Sequence, residues 1–305
     1  MENSKSILQT EIKRLNPNIT EQTRIRYNQL LRKLYFNVLG TEKFNIRNFE
    51  IQDNKFLKYL NEQPATDRKR YLSALNSILP NNEKYNSIKT ATSYEANEIY
   101  QTREASERDK EAMISQQEIQ DKFKIYEAKA KKIYKKSVMD LTYEDYENLQ
   151  AFIILSLSTL ILPRRSQDLT EFKIRNIDKM KDNFLNRNKQ IVYLSYKGAN
   201  DKGMQIIDIP TKLNNILLKW IDINPTDYLL FSSNYKQITP AQLTKKINKI
   251  FDYRPIAINS IRKAYITETH GNDFYDATEK LQSIKNDMVK MGSGLGAIKH
   301  YIKDR

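Results

Sequence analysis

The strongest chemical pattern in the chain is an arginine with an acid three residues beyond it, in the segment 165–169, which reads RSQDL. This segment follows the longest mainly apolar run, residues 151–162, so Arg165 and Asp168 stand at the end of a predicted buried helix. A guanidinium presents its N–H donors in a planar fork that fits the oxygens of phosphate or carboxylate. The pattern therefore indicates either a phosphate-binding arginine or a structural ion pair, and alone it leaves both open.

The overall charge favours a polyanionic partner. The chain has 51 Lys and Arg against 37 Asp and Glu, a formal net charge of +14. Neutralising phosphates releases condensed counterions, which favours nucleic acid as the partner. A basic composition without selection for binding is the alternative, since an AT-rich genome also enriches lysine and asparagine.

Several classes of function are disfavoured by composition. With 0 cysteines, the chain has no disulfide or thiolate chemistry. The two histidines, His270 and His300, are not at metal-ligand spacing, so we expect neither a metal nor a cofactor. We also expect no secretory signal and no membrane helix, because no apolar run approaches the length of a bilayer span.

Three more residues that could do chemistry follow Arg165 along the chain. Lys197 stands where a β-rich run meets a turn, and Lys202, at the other end of that turn, is its rival. Arg262 lies near the start of a later predicted helix, and Tyr301 lies near the end of the sequence. Alone, such a lysine can be a residue that protects a sheet edge, and one tyrosine among 19 means little.

Taken in this order, residues 116–305 resemble the catalytic domain of the tyrosine recombinases, the family of the phage integrases. The family's first arginine box has an arginine, an acid three residues on, a leucine next and an apolar residue three further. Arg165, Asp168, Leu169 and Phe172 match this box in turn. The family's catalytic set is completed by a lysine on a β-hairpin, a second arginine and a tyrosine near the C-terminus. Lys197, Arg262 and Tyr301 stand at these positions.

The resemblance implies a role for each residue. Tyr301 would be the nucleophile, and its covalent ester with DNA would preserve the energy of the broken phosphodiester, so that resealing needs no ATP. Arg165 and Arg262 would clamp the non-bridging oxygens, where charge accumulates in the transition state. Lys197 would give a proton to the departing 5′-oxygen, and Asp168 would orient the arginine site.

The sequence also departs from the family's pattern. Asn259 stands three residues before Arg262, where the family usually has histidine. As a candidate catalytic residue, it can donate a hydrogen bond to phosphate but cannot shuttle a proton at neutral pH. Gly292 and Ser293 occupy the region of a later histidine or tryptophan, and His300 would point away from Tyr301 on a helix. The sequence ends four residues past Tyr301, so the helix that many relatives dock on a neighbouring subunit is expected to be short or missing.

The first eighty-odd residues predict a small helical domain. Thr20 is a predicted N-cap of a helix that Gly40 ends; a second helix is expected at 54–61, and a third after Pro64 and before Pro80. Their outward faces are basic and could follow a phosphate backbone or form a solvated surface. The candidate DNA-binding residues, Lys202 of the turn included, are Arg24, Arg26, Arg68, Lys69, Arg70 and Lys202.

The rest of the chain predicts a polar connection and then a second domain. Apolar periodicity fades at about 81–111, where we place the connection between the domains, and part of this connection can still be helical. A basic helix is expected at 119–134, a capping-box start at Thr142 with Asp145, a buried helix at 151–161 and a β-hairpin of 190–196 with 204–209. Further helices are expected at 213–221, from 239 and from 259.

We therefore expect a mainly α fold with a small antiparallel β-sheet: an N-terminal core-binding domain at 1–84, a linker at 85–115 and a catalytic domain at 116–305. The resemblance implies a C-shaped clamp around duplex DNA and a tetramer on DNA. The implied activity is site-specific recombination or integration. It would take place inside a cell, or in a host cell if a virus or mobile element encodes the chain. Two alternatives remain: a type IB topoisomerase-like relaxing enzyme, and a DNA-binding relative that has lost catalysis.

Overall fold

A computed structural model of the protein describes residues 2–41, 43–102 and 107–290. The chain divides into two compact units, Met1–Glu104 and Ala105–Arg305. None of the helices within the described ranges is both long enough and apolar enough to cross a membrane.

The N-terminal unit is helical. Its elements are α1 (Glu2–Leu15), α2 (Glu21–Leu39), α3 (Asn48–Ile51), α4 (Asp53–Asn61), α5 (Ala65–Asn76) and α6 (Glu83–Thr102). The capping signals of α2 are confirmed: the Thr20 hydroxyl accepts from the Thr23 N–H, and Gly40 ends the helix with φ of +65°. Apolar side chains of α2, α4 and α5, among them Leu34, Phe56 and Leu72, are fully buried and form the core of this unit.

Helix α6 occupies much of the stretch in which we expected a linker at 85–115. Tyr85 is fully buried and donates from its hydroxyl to the carbonyl of Phe49 over 2.6 Å. Thr92 and Ala96, further along the helix, are also buried. These small and aromatic residues at helical spacing pack the helix on the N-terminal unit, although the surrounding sequence is polar.

The second unit surrounds one buried helix. Its helices are α7 (Glu107–Glu111), α8 (Gln116–Ile133), a 3₁₀ turn (Val138–Asp140), α9 (Tyr143–Thr159), α10 (Ser166–Thr170), α11 (Ala199–Lys202), α12 (Thr211–Ile223), α13 (Pro240–Ile250) and α14 (Ile258–Lys290). The capping box of Thr142 with Asp145 starts α9, as predicted. Residues 149–158 are buried throughout, and Ser156 and Ser158 donate to backbone carbonyls four residues earlier, which satisfies their hydroxyls inside the core.

A small sheet lies beside these helices. The strands β1 (Phe172–Lys173), β2 (Asn183–Leu185), β3 (Gln190–Tyr193) and β4 (Gln205–Asp208) stand in sequence order. Strands β3 and β4 form the predicted antiparallel hairpin, with Val192 opposite Ile206. The expectation of a wholly antiparallel sheet was wrong in one pair, because β1 runs parallel to β2 and makes the sheet mixed. The fold class, mainly α with a small sheet, is confirmed.

Candidate functional site

Arg165 and Asp168 lie at the start of the short helix α10, directly after the buried helix α9. Arg165 is the N-cap residue of α10 and is exposed, whereas Asp168 is buried. The guanidinium of Arg165 donates from Nη1 to the backbone carbonyl of Lys197 over 3.3 Å. This contact brings the predicted lysine segment beside the first arginine.

Lys197 lies just beyond the end of β3, in the turn that leads to α11, and its side chain is exposed. Its rival, Lys202, is the last residue of α11 and is also exposed. The turn contains Gly198 with φ of +94° and Gly203 with φ of +67°, and both dihedrals lie in the region that favours glycine. Of the two lysines, Lys197 is the one whose backbone contacts Arg165.

Arg262 lies in the first turns of α14 and joins the same cluster. Its Nη1 donates to the side-chain oxygen of Asn259 over 3.4 Å, and its buried Nε has no hydrogen-bond partner among the described residues. Burial lowers the pKa of Arg262; the charges of Arg165 and Arg164 lower it further, while Asp168 opposes them. The two predicted arginines are therefore close enough to repel each other.

Asp168 is the acid that these arginines share. Its Oδ2 accepts from Arg164 Nε over 2.8 Å, and its buried Oδ1 has no hydrogen-bond partner within the described part of the chain. Burial raises the pKa of Asp168, against the attraction of Arg164 and Arg165, which lower it. Arg164 and Arg165 thus both act on this carboxylate, and Asp168 in turn acts on Arg262, so one buried acid faces the charges of three arginines.

Arg164 is the residue that sequence reasoning missed. Its side chain is only 17% exposed, and it forms an ion pair with Asp168, four residues on, from its place just before the N-cap of α10. Its guanidinium lies 4.2 Å from the ring centre of Tyr193, and Nη1 donates to Gln205 Oε1 over 2.9 Å. Spacing to an acid was the available signal, but it could not show which of two adjacent arginines faces the carboxylate.

The proposed nucleophile is not among the residues that the structure places. Tyr301, with His300, Gly292 and Ser293, falls outside the described residues. Asn259 is exposed at the start of α14. His270, further along α14, is exposed, and its ring centre lies 6.1 Å from that of Tyr265. Across the residues that the structure describes, no group of three or more histidines and acids is placed to hold a metal ion.

Two of the predicted DNA-binding residues in the N-terminal unit have structural partners. Arg68 pairs with Glu95 at 3.3 Å, and Arg70 pairs with Asp67 at 2.7 Å. A carboxylate beside a guanidinium competes with phosphate for the same N–H donors. These two arginines are therefore less suited to DNA than the sequence alone indicates.

The other basic candidates of this unit lie on α2 and α5. Arg26 of α2 and Lys69 of α5 line an open cavity of about 390 Å³. The cavity is also lined by Thr23, Tyr27, Leu30, Thr66, Arg70 and Ser73. Arg24, two residues before Arg26 on α2, is half-buried. Basic side chains from two helices thus meet at one opening.

Comparisons with known proteins find only distant similarity of fold. No protein-family model and no curated protein matches the chain. The XerA recombinase structure is 14% identical, with 88% of this chain and 85% of that chain covered and a TM-score of 0.32. The structure of a lambda integrase(75-356) dimer bound to a COC′ core site is 14% identical, with 88% and 87% covered and a TM-score of 0.42. Both likenesses concern the fold alone.

Proposed function

We propose that the chain is a DNA strand-breaking and rejoining enzyme, a site-specific recombinase or integrase that acts through a 3′-phosphotyrosyl intermediate. The observation that carries this proposal is the placement of Arg164 on the buried carboxylate of Asp168 and of Arg165 on the Lys197 carbonyl, with the charges of both arginines acting on Arg262. A site with surplus guanidinium charge is suited to the non-bridging oxygens of a phosphodiester, which supply negative charge that Asp168 alone does not.

In the proposed step, the phenolic oxygen of Tyr301 forms a bond to phosphorus and loses its proton to water. The bond between phosphorus and the 5′-oxygen breaks, and the ammonium of Lys197 gives its proton to that oxygen. Arg165 and Arg262 bind the non-bridging oxygens, whose charge grows in the transition state. In the reverse step, the 5′-hydroxyl of another strand attacks the phosphorus and the bond to Tyr301 breaks. The strand is thus rejoined without any external energy source.

Support for Lys197 as the acid comes from the contact of its own carbonyl with Arg165, at 3.3 Å. This contact fixes the lysine's backbone beside one of the two phosphate-binding groups. Its exposed side chain has a flexible stem that can reach a bound phosphodiester. The role of Tyr301 stands on the sequence resemblance, and bringing that residue to the arginines is part of the proposal.

We propose duplex DNA as the partner, bound by a tetramer of the chain. The N-terminal unit would contact the phosphate backbone of the DNA. Arg26 and Lys69 approach one open cavity from two helices, a placement suited to adjacent phosphates. Arg24 is a further candidate on α2. Arg68 and Arg70 are weaker ones, because acids already pair with them.

A second candidate is a DNA-binding relative that has lost catalysis. Asn259 favours it, because its amide oxygen accepts from Arg262 over 3.4 Å and the group has no proton that titrates at neutral pH. In this case the arginine cluster would bind DNA phosphate without cleavage.

The distinguishing experiment uses the full chain, a supercoiled plasmid and two labelled duplexes that carry the terminal sequences of the element encoding it. Exchange of labelled strands between the duplexes is the expected result. Relaxation of the plasmid without strand exchange would instead indicate a topoisomerase-like enzyme. Binding of the duplexes with neither reaction would favour the inactive relative.

A further inference from the structure

We propose that Arg164 is a positioning residue that, with Gln205, holds the Lys197 turn against the arginine cluster. This inference rests on the proposed function, because it assigns the placement of the proposed general acid. It concerns a residue outside the set of Arg165, Lys197, Arg262 and Tyr301.

Arg164 contacts both sides of the hairpin from which the turn emerges. On the β3 side, its guanidinium lies 4.2 Å from the ring centre of Tyr193 and 5.5 Å from that of Tyr196. On the β4 side, Nη1 donates to Oε1 of Gln205, the first residue of that strand, over 2.9 Å. One side chain therefore spans the base of the loop that carries Lys197.

The same guanidinium is anchored to the arginine cluster. Nε donates to Asp168 Oδ2 over 2.8 Å, and the two side chains are only 17% and 3% exposed. A buried charge-assisted hydrogen bond of this kind is strong and directional. Movement of the β4 side of the loop would therefore have to break the contact with Gln205 or disturb Asp168.

The two sides of the loop are held by different contacts. On the β3 side, the hydroxyl of Ser195 hydrogen-bonds to Glu171 at the end of α10. The Tyr196 hydroxyl closes the loop by donating to the Gly203 carbonyl over 2.7 Å. Gln205 is the contact from the β4 side to Arg164, so its removal should loosen that side while Asp168 keeps its partner.

Arginine suits this position better than lysine. The planar fork donates from Nε and Nη1 in two directions and stacks on an aromatic ring, whereas an ammonium is a single point charge. Substitution of Arg164 itself is a poor test, because it removes the donor to the buried Oδ2 of Asp168 and endangers the fold. Gln205 is the sharper position.

The test compares Gln205→Leu with Gln190→Leu in the full chain. Gln190 belongs to the same hairpin, but its side chain donates to Asp208 Oδ1 over 2.8 Å and not to the arginine cluster. Hydrogen exchange should be faster at residues 197–204 in Gln205→Leu, by roughly tenfold, and unchanged there in Gln190→Leu. Gln205→Glu, which keeps the acceptor, should restore the wild-type protection.

The second readout is cleavage of a nicked duplex with either an ordinary 5′-oxygen or a 5′-bridging sulfur at the scissile phosphate. A thiolate leaves without needing a proton, so the sulfur substrate does not depend on Lys197. Gln205→Leu should cleave the ordinary duplex roughly a hundredfold more slowly than wild type, and cleave the sulfur duplex at the wild-type rate.

Equal slowing on both substrates, or wild-type exchange at 197–204 in Gln205→Leu, would overturn the inference. Failure of the proposed function looks different: the wild-type chain would then cleave neither duplex. Hydrogen exchange would still decide in that case whether Arg164 and Gln205 hold the turn.

Discussion

Arg165 and Arg262 belong to segments far apart in the sequence, yet they lie close enough for the charge of Arg165 to help burial lower the pKa of Arg262. Two neighbouring cations without a bound anion oppose folding, and a bound phosphate would reverse that effect. In the proposed function, the pair would link the stability of the protein to its ligand.

Replacing Arg165 by alanine should relieve this repulsion. Without added anion, the melting temperature should change by only about 1–3 °C, because the variant loses the repulsion from Arg262 together with the attraction to Asp168. Inorganic phosphate should stabilise the wild-type chain more than Arg165→Ala, since the variant has lost half of the site. Thermal unfolding with and without phosphate measures both effects.

Arg187→Ala is the matched control, because Arg187 is an exposed arginine of the same unit in the β2 to β3 turn. It should leave the gain from phosphate unchanged. The full wild-type gain from phosphate in Arg165→Ala would contradict the arginine pair as an anion site.

The N-terminal unit should show its DNA contacts in the salt dependence of binding. The double variant Arg26→Ala, Lys69→Ala should bind a duplex more weakly. The slope of log K against log salt should fall in magnitude by about 2, since each lost phosphate contact removes about 0.9 from it. Fluorescence anisotropy at several salt concentrations measures this slope. Arg14→Ala, which removes an arginine paired with Glu11 at 2.6 Å, should leave the slope unchanged; an equal fall in both variants would argue against this surface.

Asn259→His tests why the second arginine box departs from its pattern. A histidine there would supply a proton acceptor three residues before Arg262, so DNA cleavage should become faster and gain a dependence on pH near 6.5, roughly the ordinary histidine pKa. Rates of cleavage across this pH range, compared with wild type and Asn259→Ala, measure the effect. No gain in rate over wild type would mean that the amide does not limit the reaction.

Asp145 should make the second unit sensitive to acid. Hydrogen bonds from Lys136, and then from the Thr142 backbone, hold the pKa of Asp145 below its usual range. The ionised form is thus favoured by folding, so its contribution is present above the ordinary aspartate pKa and is lost as pH falls through the lowered one. Asp145→Asn should cost about 1 kcal/mol of unfolding free energy at neutral pH, and this gap to wild type should close in acid.

Denaturant unfolding as a function of pH measures this gap. Glu144→Gln is the control, because Glu144 is an exposed acid in the same first turn of α9. If the difference in unfolding free energy between Asp145→Asn and wild type were the same at every pH, the helix cap would contribute to stability and the charge of Asp145 would not.

Local signals made much of the fold predictable. Thr142 and Thr239, the latter followed by Pro240, mark helix starts because each threonine hydroxyl accepts from a backbone N–H only three residues away. The hairpin was predictable for a similar reason, from the turn residues between its strands. In each case the deciding contacts lie within a few residues along the chain.

Contacts between distant residues account for what was missed. The parallel pairing of Phe172 with Asn183 depends on neither strand alone. Helix α6 owes its place to Tyr85, whose hydroxyl bonds to Phe49. Similarly, only the fold shows that Arg164 faces Asp168 and Gln205 while Arg165 faces the Lys197 carbonyl.

Tyr301 is proposed to form the covalent bond to DNA, and one measurement tests this role most directly. A nicked duplex that releases the cleaved fragment is incubated with the wild-type chain or Tyr301→Phe, and covalent adducts are separated under denaturing conditions and mapped by mass spectrometry. We predict a phosphotyrosyl peptide at Tyr301 in the wild type and no adduct in the variant, with the affinity for the duplex unchanged. An undiminished adduct in Tyr301→Phe, or one mapped to another residue, would contradict the account.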